Sequence, residues 1–133
     1  MSYARQLLDG YPGTLNADAG VLAATIDALS DCAQACAADA DADLAERDLA
    51  EMVKCIRLCL DCVDVCTATA GVVSRQTDYE PETARAEVES CRQSCSTCAE
   101  ECERHAPHHE HCRLCAESCR RCEAACTALL DAI

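Results

Sequence analysis

Residues 112–126 read CRLCAESCRRCEAAC, and this stretch decides the fold of the chain. Its cysteines stand alternately three and four residues apart, at Cys112, Cys115, Cys119, Cys122 and Cys126. Side chains at those steps lie on one face of an α-helix, and that face is buried when helices pack into a bundle. The thiols therefore occupy positions at which a bundle normally carries leucine and isoleucine.

Earlier segments repeat this pattern. Residues 55–66 (CIRLCLDCVDVC) and 91–102 (CRQSCSTCAEEC) each hold four cysteines at steps of four, three and four, and residues 32–36 add one further step of four. The other faces of residues 91–102 carry Glu, Arg, Gln and Ser, so only the cysteine face can be buried. These cysteines are Cys32, Cys36, Cys55, Cys59, Cys62, Cys66, Cys91, Cys95, Cys98 and Cys102.

The stripes predict an all-α protein, an antiparallel up-and-down four-helix bundle with a Cys-lined core and a short N-terminal leader or extra helix. Residues 1–17, interrupted by two glycines and a proline, form the leader. Residues 18–133 form the four-helix-bundle metal-binding domain. Asn16 or Asp18 caps the first long helix.

The bounds of the four helices follow from the periodic positions and the breaks between them. Helix one ends near Ala40, where we interpret Asp39, Asp41 and Asp43 as turn residues. The other three helices run from about Leu44 to Val73, from about Pro81 to His105 and from about His108 to Ile133.

An antiparallel bundle brings the end of helix one, the start of helix two, the end of helix three and the start of helix four together. We call this end the mouth and the opposite end the floor. Toward the mouth, the cysteine stripes continue into or beside soft or borderline metal ligands, which are Met52, His105, His108, His109 and His111. Toward the floor they continue mainly as aliphatic side chains, which are Leu22, Thr69, Val73, Ala84, Val88, Leu129 and Ile133. The asymmetry predicts that metal enters at the mouth.

Composition and charge exclude several functions. A formal net charge of −13 disfavours nucleic acid or an anionic membrane as a partner. No apolar run is expected to span a membrane, and residues 1–15 lack a signal-peptide pattern. The cysteine count, 15, is odd, and helical neighbours four residues apart have Cβ atoms farther apart than a disulfide allows. We therefore expect reduced thiols in the cytoplasm.

The number of cysteines on the buried faces predicts metal binding. Packing alone gives no reason to avoid leucine at the thirteen cysteine positions of residues 55–66, 91–102 and 112–126. Thiolates select Cu(I), zinc and iron–sulfur clusters. One Cu(I) per thiolate leaves a dry core near neutral, whereas zinc in four-thiolate sites leaves two excess negative charges per site. We therefore expect multiple Cu(I) ions per chain, held by the cysteines. We also expect the histidines and Met52 to capture or pass them.

Two other functions stay open at this point. A zinc or general thiol-metal buffer predicts tetrahedral sites and few ions, and a redox-active or structural Cys-rich bundle predicts disulfides between helices and indifference to copper. No single thiol has the histidine partner that a catalytic nucleophile needs, so we expect no enzyme activity. Iron–sulfur binding is disfavoured because no cysteine precedes a proline, as the bacterial ferredoxin motif requires.

The three cysteine motifs and the His-rich turn between the last two helices resemble the cytosolic branch of the four-helix-bundle copper storage proteins. The resemblance covers about residues 18–133. It implies a homotetramer of bundles in the bacterial cytoplasm, each bundle holding many Cu(I) ions through Cys thiolates, with entrance at the His end. The chain departs from this pattern in helix one, which supplies only Cys32 and Cys36, so that three helices build the sites nearest the floor.

Overall fold

The structure is a computed structural model that describes residues 2–133, and this part of the chain is all-helical. A 3₁₀ turn precedes the second of four long helices, and a short helix precedes the first. The elements are α1 (Tyr3–Asp9), α2 (Ala19–Leu44), the 3₁₀ turn (Leu49–Glu51), α3 (Val53–Ser74), α4 (Pro81–His105) and α5 (Glu110–Ala132). Helix α2 packs on α3 and α5, and α4 packs on the same two helices. The predicted bundle is confirmed.

Local signals fix several helix ends. Asp18 caps α2, since its Oδ1 accepts a hydrogen bond of 3.1 Å from the backbone N–H of Val21. Pro81 begins α4, where its missing N–H costs no hydrogen bond, as the sequence predicted. Helix α5 begins at Glu110, two residues later than expected, and the side chain of the preceding His109 makes no capping hydrogen bond.

The N-terminal segment closes the floor of the bundle. Leu8 of α1 is buried in the core, and the hydroxyls of Tyr11 and Thr77 lie 2.7 Å apart. The backbone N–H of Asn16 donates to Oε1 of buried Gln76 at 3.0 Å, and the Asn16 amide donates to the Gln76 carbonyl at 3.2 Å. Residues before the first long helix are thus tied to the α3–α4 connection. The domain boundary at residue 17 stays a prediction.

Two predicted helix bounds are wrong in one region. Helix α2 does not end near Ala40 but continues to Leu44, and the following helix begins at Val53 rather than Leu44. The aspartates interpreted as turn residues lie within α2, and Asp39 and Asp43 are buried. The helix continues because these two positions extend its buried face, so their burial outweighs the turn preference of Asp.

Helix α2 is the one helix within residues 2–133 whose length and composition would allow it to cross a membrane. No run of that kind was predicted from the sequence. Its cysteine-bearing face is buried against the other long helices of the bundle. Length and composition alone do not separate a membrane span from a core helix.

Candidate metal centre

All fifteen cysteines are free thiols and are buried in the bundle. Each lies on the inward face predicted from the alternating spacing, so α2 to α5 all contribute sulfur to one interior. Neighbouring Sγ atoms lie 3.6 to 4.0 Å apart, as in the pairs Cys36–Cys119 and Cys98–Cys102. This is about the separation of two sulfurs bound to one ion at ~2.3 Å in trigonal or tetrahedral geometry.

The sulfurs form groups that overlap along the bundle axis. In each group the four Sγ atoms lie within 4.8 Å of one another, and at least three helices contribute. Consecutive groups share one or two cysteines, so a thiolate in one group is positioned to bridge to the next. The groups are Cys59–Cys98–Cys102–Cys115, Cys36–Cys98–Cys115–Cys119, Cys32–Cys36–Cys62–Cys119 and Cys32–Cys66–Cys95–Cys122.

The floor ends this sulfur column. Below Cys32 on α2 stand Leu29, which is fully buried, and Thr25, whose hydroxyl donates to the Val21 carbonyl at 2.8 Å. Val88 of α4 and Leu129 of α5 are buried at the same end. The floor is therefore mainly apolar, and the buried hydroxyls of Thr25 and Thr69 each donate to a backbone carbonyl.

A buried carboxylate reaches into the mouth end of the column. Asp39 Oδ2 lies 3.4 Å from Cys59 Sγ, 3.6 Å from Cys102 Sγ and 3.9 Å from Cys55 Sγ. These four donors form a further compact group in which oxygen replaces one sulfur. Burial raises the pKa of Asp39, although the hydrogen bond to His111 opposes the shift.

Asp43 lies one helical turn closer to the mouth and is fully buried. Its Oδ1 lies 3.5 Å from Cys112 Sγ and 3.4 Å from His111 Nδ1, whereas its Oδ2 has no hydrogen-bond partner. Burial, together with the charge of Asp39, raises the pKa of Asp43 to about 8.

The pKa of Asp43 predicts a pH dependence of stability. Because the folded chain holds a proton that the unfolded chain releases near the ordinary value of 3.8, the free energy of unfolding falls as pH rises from about 4 to about 8. The slope from this group is up to about 1.4 kcal/mol per pH unit. Asp43→Asn should remove it, and Asp41→Asn, at an exposed position on the same helix, should not. Denaturant unfolding of the copper-free protein across this range measures it, and identical profiles for both variants would contradict it.

The histidines at the mouth are held by carboxylates. His111 Nδ1 lies 2.5 Å from Asp39 Oδ1, and His111 Nε2 lies 3.2 Å from Glu46 Oε1. Burial alone would lower the pKa of His111, but these two hydrogen bonds raise it. His109 lies 3.1 Å from Asp48 and 3.2 Å from Glu46, and its ring stacks on that of His111 with centroids 5.4 Å apart.

The remaining predicted mouth residues are less closely joined to the thiols. His105 Nε2 lies 2.8 Å from Oε2 of buried Glu101, which Arg104 also contacts. His108 is exposed to solvent. Met52 is fully buried at the start of α3. The structure thus brings His111 beside a cysteine, Cys112 Sγ at 3.6 Å, and leaves His108 on the surface.

Sequence reasoning missed the mouth carboxylates, although one signal was available. Cys32, Cys36, Asp39 and Asp43 stand at steps of four, three and four, the spacing of the cysteine ladders. Two of the four core positions on α2 that follow this spacing therefore carry oxygen instead of sulfur. Glu46 gave no such signal, because it belongs to the turn that follows α2.

Comparison with known proteins also points to metal binding by the cysteines. The family model for copper storage proteins matches residues 19–131, which contain every cysteine. The chain belongs to the copper storage protein family. No curated protein sequence matches the chain.

Solved structures of a copper storage protein, Ccsp from Streptomyces lividans, are similar over most of their length. One, described as loaded with 10 copper equivalents, has a TM-score of 0.96 and 49% identity, covering 98% of this chain and 99% of its own. A second, described as a cytosolic copper storage protein with five coppers, has a TM-score of 0.85 and 51% identity, covering 86% and 95%. A variant with two histidines replaced by alanine has a TM-score of 0.87 and 49% identity, covering 88% and 98%.

Proposed function

We propose that this protein binds and stores many Cu(I) ions per chain through the cysteine thiolates inside its bundle, for copper storage and detoxification. The observation that carries this proposal is the column of overlapping four-sulfur groups. Separate zinc-type sites would require each sulfur to belong to one ion. Here a cysteine that belongs to two groups can bridge two metal ions. Such bridging allows the number of bound ions to approach the number of thiolates.

Charge balance supports copper as the cargo. Thiolates in a dry interior are strongly unfavourable unless positive charge replaces the lost protons. One Cu(I) per thiolate does so and leaves no net charge. Two- or three-coordinate Cu(I) can also use the sulfur pairs and triplets found across neighbouring helices. The relative loaded with ten copper equivalents supports the same reading.

Copper is taken up at the mouth in this account. We infer that Met52, His105, His108, His109 and His111 receive Cu(I), which then passes to the fifteen cysteines. Support comes from the position of His111 beside Cys112, and from the carboxylates that orient the imidazole rings at this end. The floor offers only apolar side chains and hydroxyls in place of metal ligands, which favours the mouth as the entrance for copper.

Location and assembly are inferred from the family. We infer a cytoplasmic protein, as its relative is described as cytosolic, and a storage role without catalytic turnover. We further infer a homotetramer. Seven large apolar side chains are available at the surface for contacts between copies, and they are Tyr3, Leu7, Leu44, Leu49, Val53, Leu60 and Leu114. Light scattering coupled to size exclusion measures the assembly, and a monomer at micromolar concentration would contradict it.

Copper loading should release protons. Hydrogen bonds from Cys122 and Cys91, together with burial, raise the pKa of the Cys126 thiol, and similar contacts with Cys115 and Cys119 raise that of Cys36. A thiolate without a cation is strongly unfavourable in the dry core, so we infer that the core thiols are neutral before loading and that each must lose its proton to bind metal. A weakly buffered titration with a pH indicator should record about one proton per thiolate formed. Tight copper uptake without proton release would contradict the proposed thiolate sites.

A further inference from the structure

The mouth histidines differ in how carboxylates contact their ring nitrogens. In His109, Nδ1 lies 3.2 Å from Glu46 and Nε2 lies 3.1 Å from Asp48. In His111, Nδ1 lies 2.5 Å from Asp39 and Nε2 lies 3.2 Å from Glu46. Both rings therefore have a carboxylate at each nitrogen, and either ring must give up one of these contacts before it can bind a metal.

His105 is held differently, because its carboxylate contact is made at one ring nitrogen. Nε2 of His105 lies 2.8 Å from Oε2 of Glu101, which stands one helical turn earlier on α4. A carboxylate oxygen accepts hydrogen bonds, so Nε2 carries the proton and donates the hydrogen bond. In the neutral ring the other nitrogen, Nδ1, is then unprotonated, and its lone pair is available to a metal.

The Glu101 carboxylate is fixed in place from two sides. The residue is 5% exposed, and the guanidinium of Arg104 contacts its Oε1 while its Oε2 accepts from His105. Both oxygens therefore have donors, as a buried carboxylate requires. Turning Glu101 away from His105 would leave a buried acceptor oxygen unpaired, which costs more than the loss of an exposed hydrogen bond. The contact therefore holds the imidazole ring in one orientation.

The sequence position of His105 places its ring at the end of the sulfur column. His105 follows Cys98 and Cys102 by seven and three residues, so it continues the buried cysteine face of α4. Metal-binding histidines almost always donate their other N–H to a carboxylate, a carbonyl or water, which fixes the tautomer and makes the ligating nitrogen more basic. The Glu101–His105 pair already has this arrangement. An incoming ion therefore meets a nitrogen whose orientation is fixed beforehand, which lowers the cost of binding.

We propose that Glu101 is a positioning residue for copper uptake, which holds His105 by Nε2 so that Nδ1 is free to accept Cu(I). This inference rests on the proposed uptake of Cu(I) by the mouth histidines. Glu101 acts through the imidazole ring and does not bind copper itself, since carboxylate oxygen suits harder ions than Cu(I).

The rate of copper uptake tests this role. Glu101→Met keeps the length of the side chain and removes the acceptor oxygens. In stopped-flow mixing of the reduced full-length protein with a Cu(I) donor, the variant should take up copper about tenfold more slowly and reach the same final copper content. Glu100→Met is the matched control, because it makes the same change at an exposed neighbouring position, and it should keep the wild-type rate. Equal rates in the two variants would overturn the proposal.

A double-mutant cycle with His105→Ala separates positioning from a structural role. In the His105→Ala background, Glu101→Met should not slow uptake further, because Glu101 then has no ring to orient. The same slowing in both backgrounds would show that Glu101 acts independently of His105 and would overturn the proposal. His105→Ala by itself tests the proposed uptake function. If this variant takes up copper as fast as the wild-type protein, uptake through His105 fails; if it is slow while Glu101→Met is not, only the positioning role fails.

Nuclear magnetic resonance of the copper-free protein, labelled with nitrogen-15 at histidine, observes the ring directly. At a pH where the ring is neutral, the wild-type protein and Glu100→Met should carry a proton on Nε2 of His105 and none on Nδ1, and the Nε2 proton should exchange slowly with water. Glu101→Met should lose this slow exchange, because the proton then has no buried acceptor. A proton on Nδ1 of His105 in the wild-type protein, or unchanged exchange in Glu101→Met, would overturn the proposal.

Discussion

Replacing Leu129 by aspartate should lower the free energy of unfolding of the copper-free protein by about 3–5 kcal/mol. Leu129 is 2% exposed on α5, at the apolar floor opposite the mouth. The change removes buried apolar contacts and places a carboxylate among the aliphatic side chains of the floor. At this end of the bundle the core positions carry aliphatic side chains instead of thiols. Metal binding therefore cannot compensate for the apolar contacts that the substitution removes.

The matched control is Leu114→Asp on the same helix. Leu114 is 50% exposed, so the same substitution there should change the unfolding free energy by no more than about 0.5 kcal/mol. Chemical denaturation of both variants, with the thiols kept reduced, measures the difference. If Leu129→Asp unfolds at the same denaturant concentration as the wild-type protein, the floor does not hold the bundle together as described.

Replacing all four mouth histidines by alanine should slow Cu(I) uptake by about tenfold to a hundredfold while leaving the final copper content nearly unchanged. The factor is that expected when groups that hold or orient a metal are removed. Capacity should persist because the storage ligands are the cysteines, which none of the four substitutions removes. The four residues are His105, His108, His109 and His111.

Stopped-flow mixing of reduced protein with a Cu(I) donor measures the uptake rate, and an endpoint titration measures the capacity. His108→Ala alone is the control, because His108 is exposed and should contribute least to the rate. A large loss of capacity at an unchanged rate would contradict the proposal that the histidines act in uptake. It would place them among the storage ligands instead.

The fold could be predicted because cysteine replaces the usual core residues in a regular pattern. Along α4 the cysteine face is the main apolar surface. Once the helix is predicted, this face is therefore the one expected to be buried. Pro81 and Asp18 then marked two helix starts through backbone chemistry that acts within a few residues. Helix-start signals that act within a few residues can be read from a sequence.

The end of α2 was mispredicted because composition was weighed above periodicity. Asp39 and Asp43 looked like turn residues, but they continue the steps set by Cys32 and Cys36. Both carboxylates contact His111, which lies 72 and 68 positions further along the chain and approaches only when the bundle forms. The oxygen donors of the mouth are therefore a tertiary feature.

Contacts made by connecting segments could not be predicted for the same reason. Glu46 and Asp48 reach His109 because the turn between α2 and α3 folds over the start of α5. Asn16 meets Gln76 across 60 residues of sequence through two hydrogen bonds. Such pairs carry no periodic signal, and their partners are fixed by loop geometry.

The most direct test of the account is an anaerobic titration of the fully reduced protein with Cu(I) against a coloured competing chelator, repeated with Zn²⁺. We expect tight copper binding to continue until the number of ions approaches or exceeds the 15 cysteines. Zinc bound in the sulfur core should be displaced by copper. A copper endpoint of only a few ions, or core zinc that copper fails to displace, would contradict bulk Cu(I) storage and indicate discrete zinc-type sites.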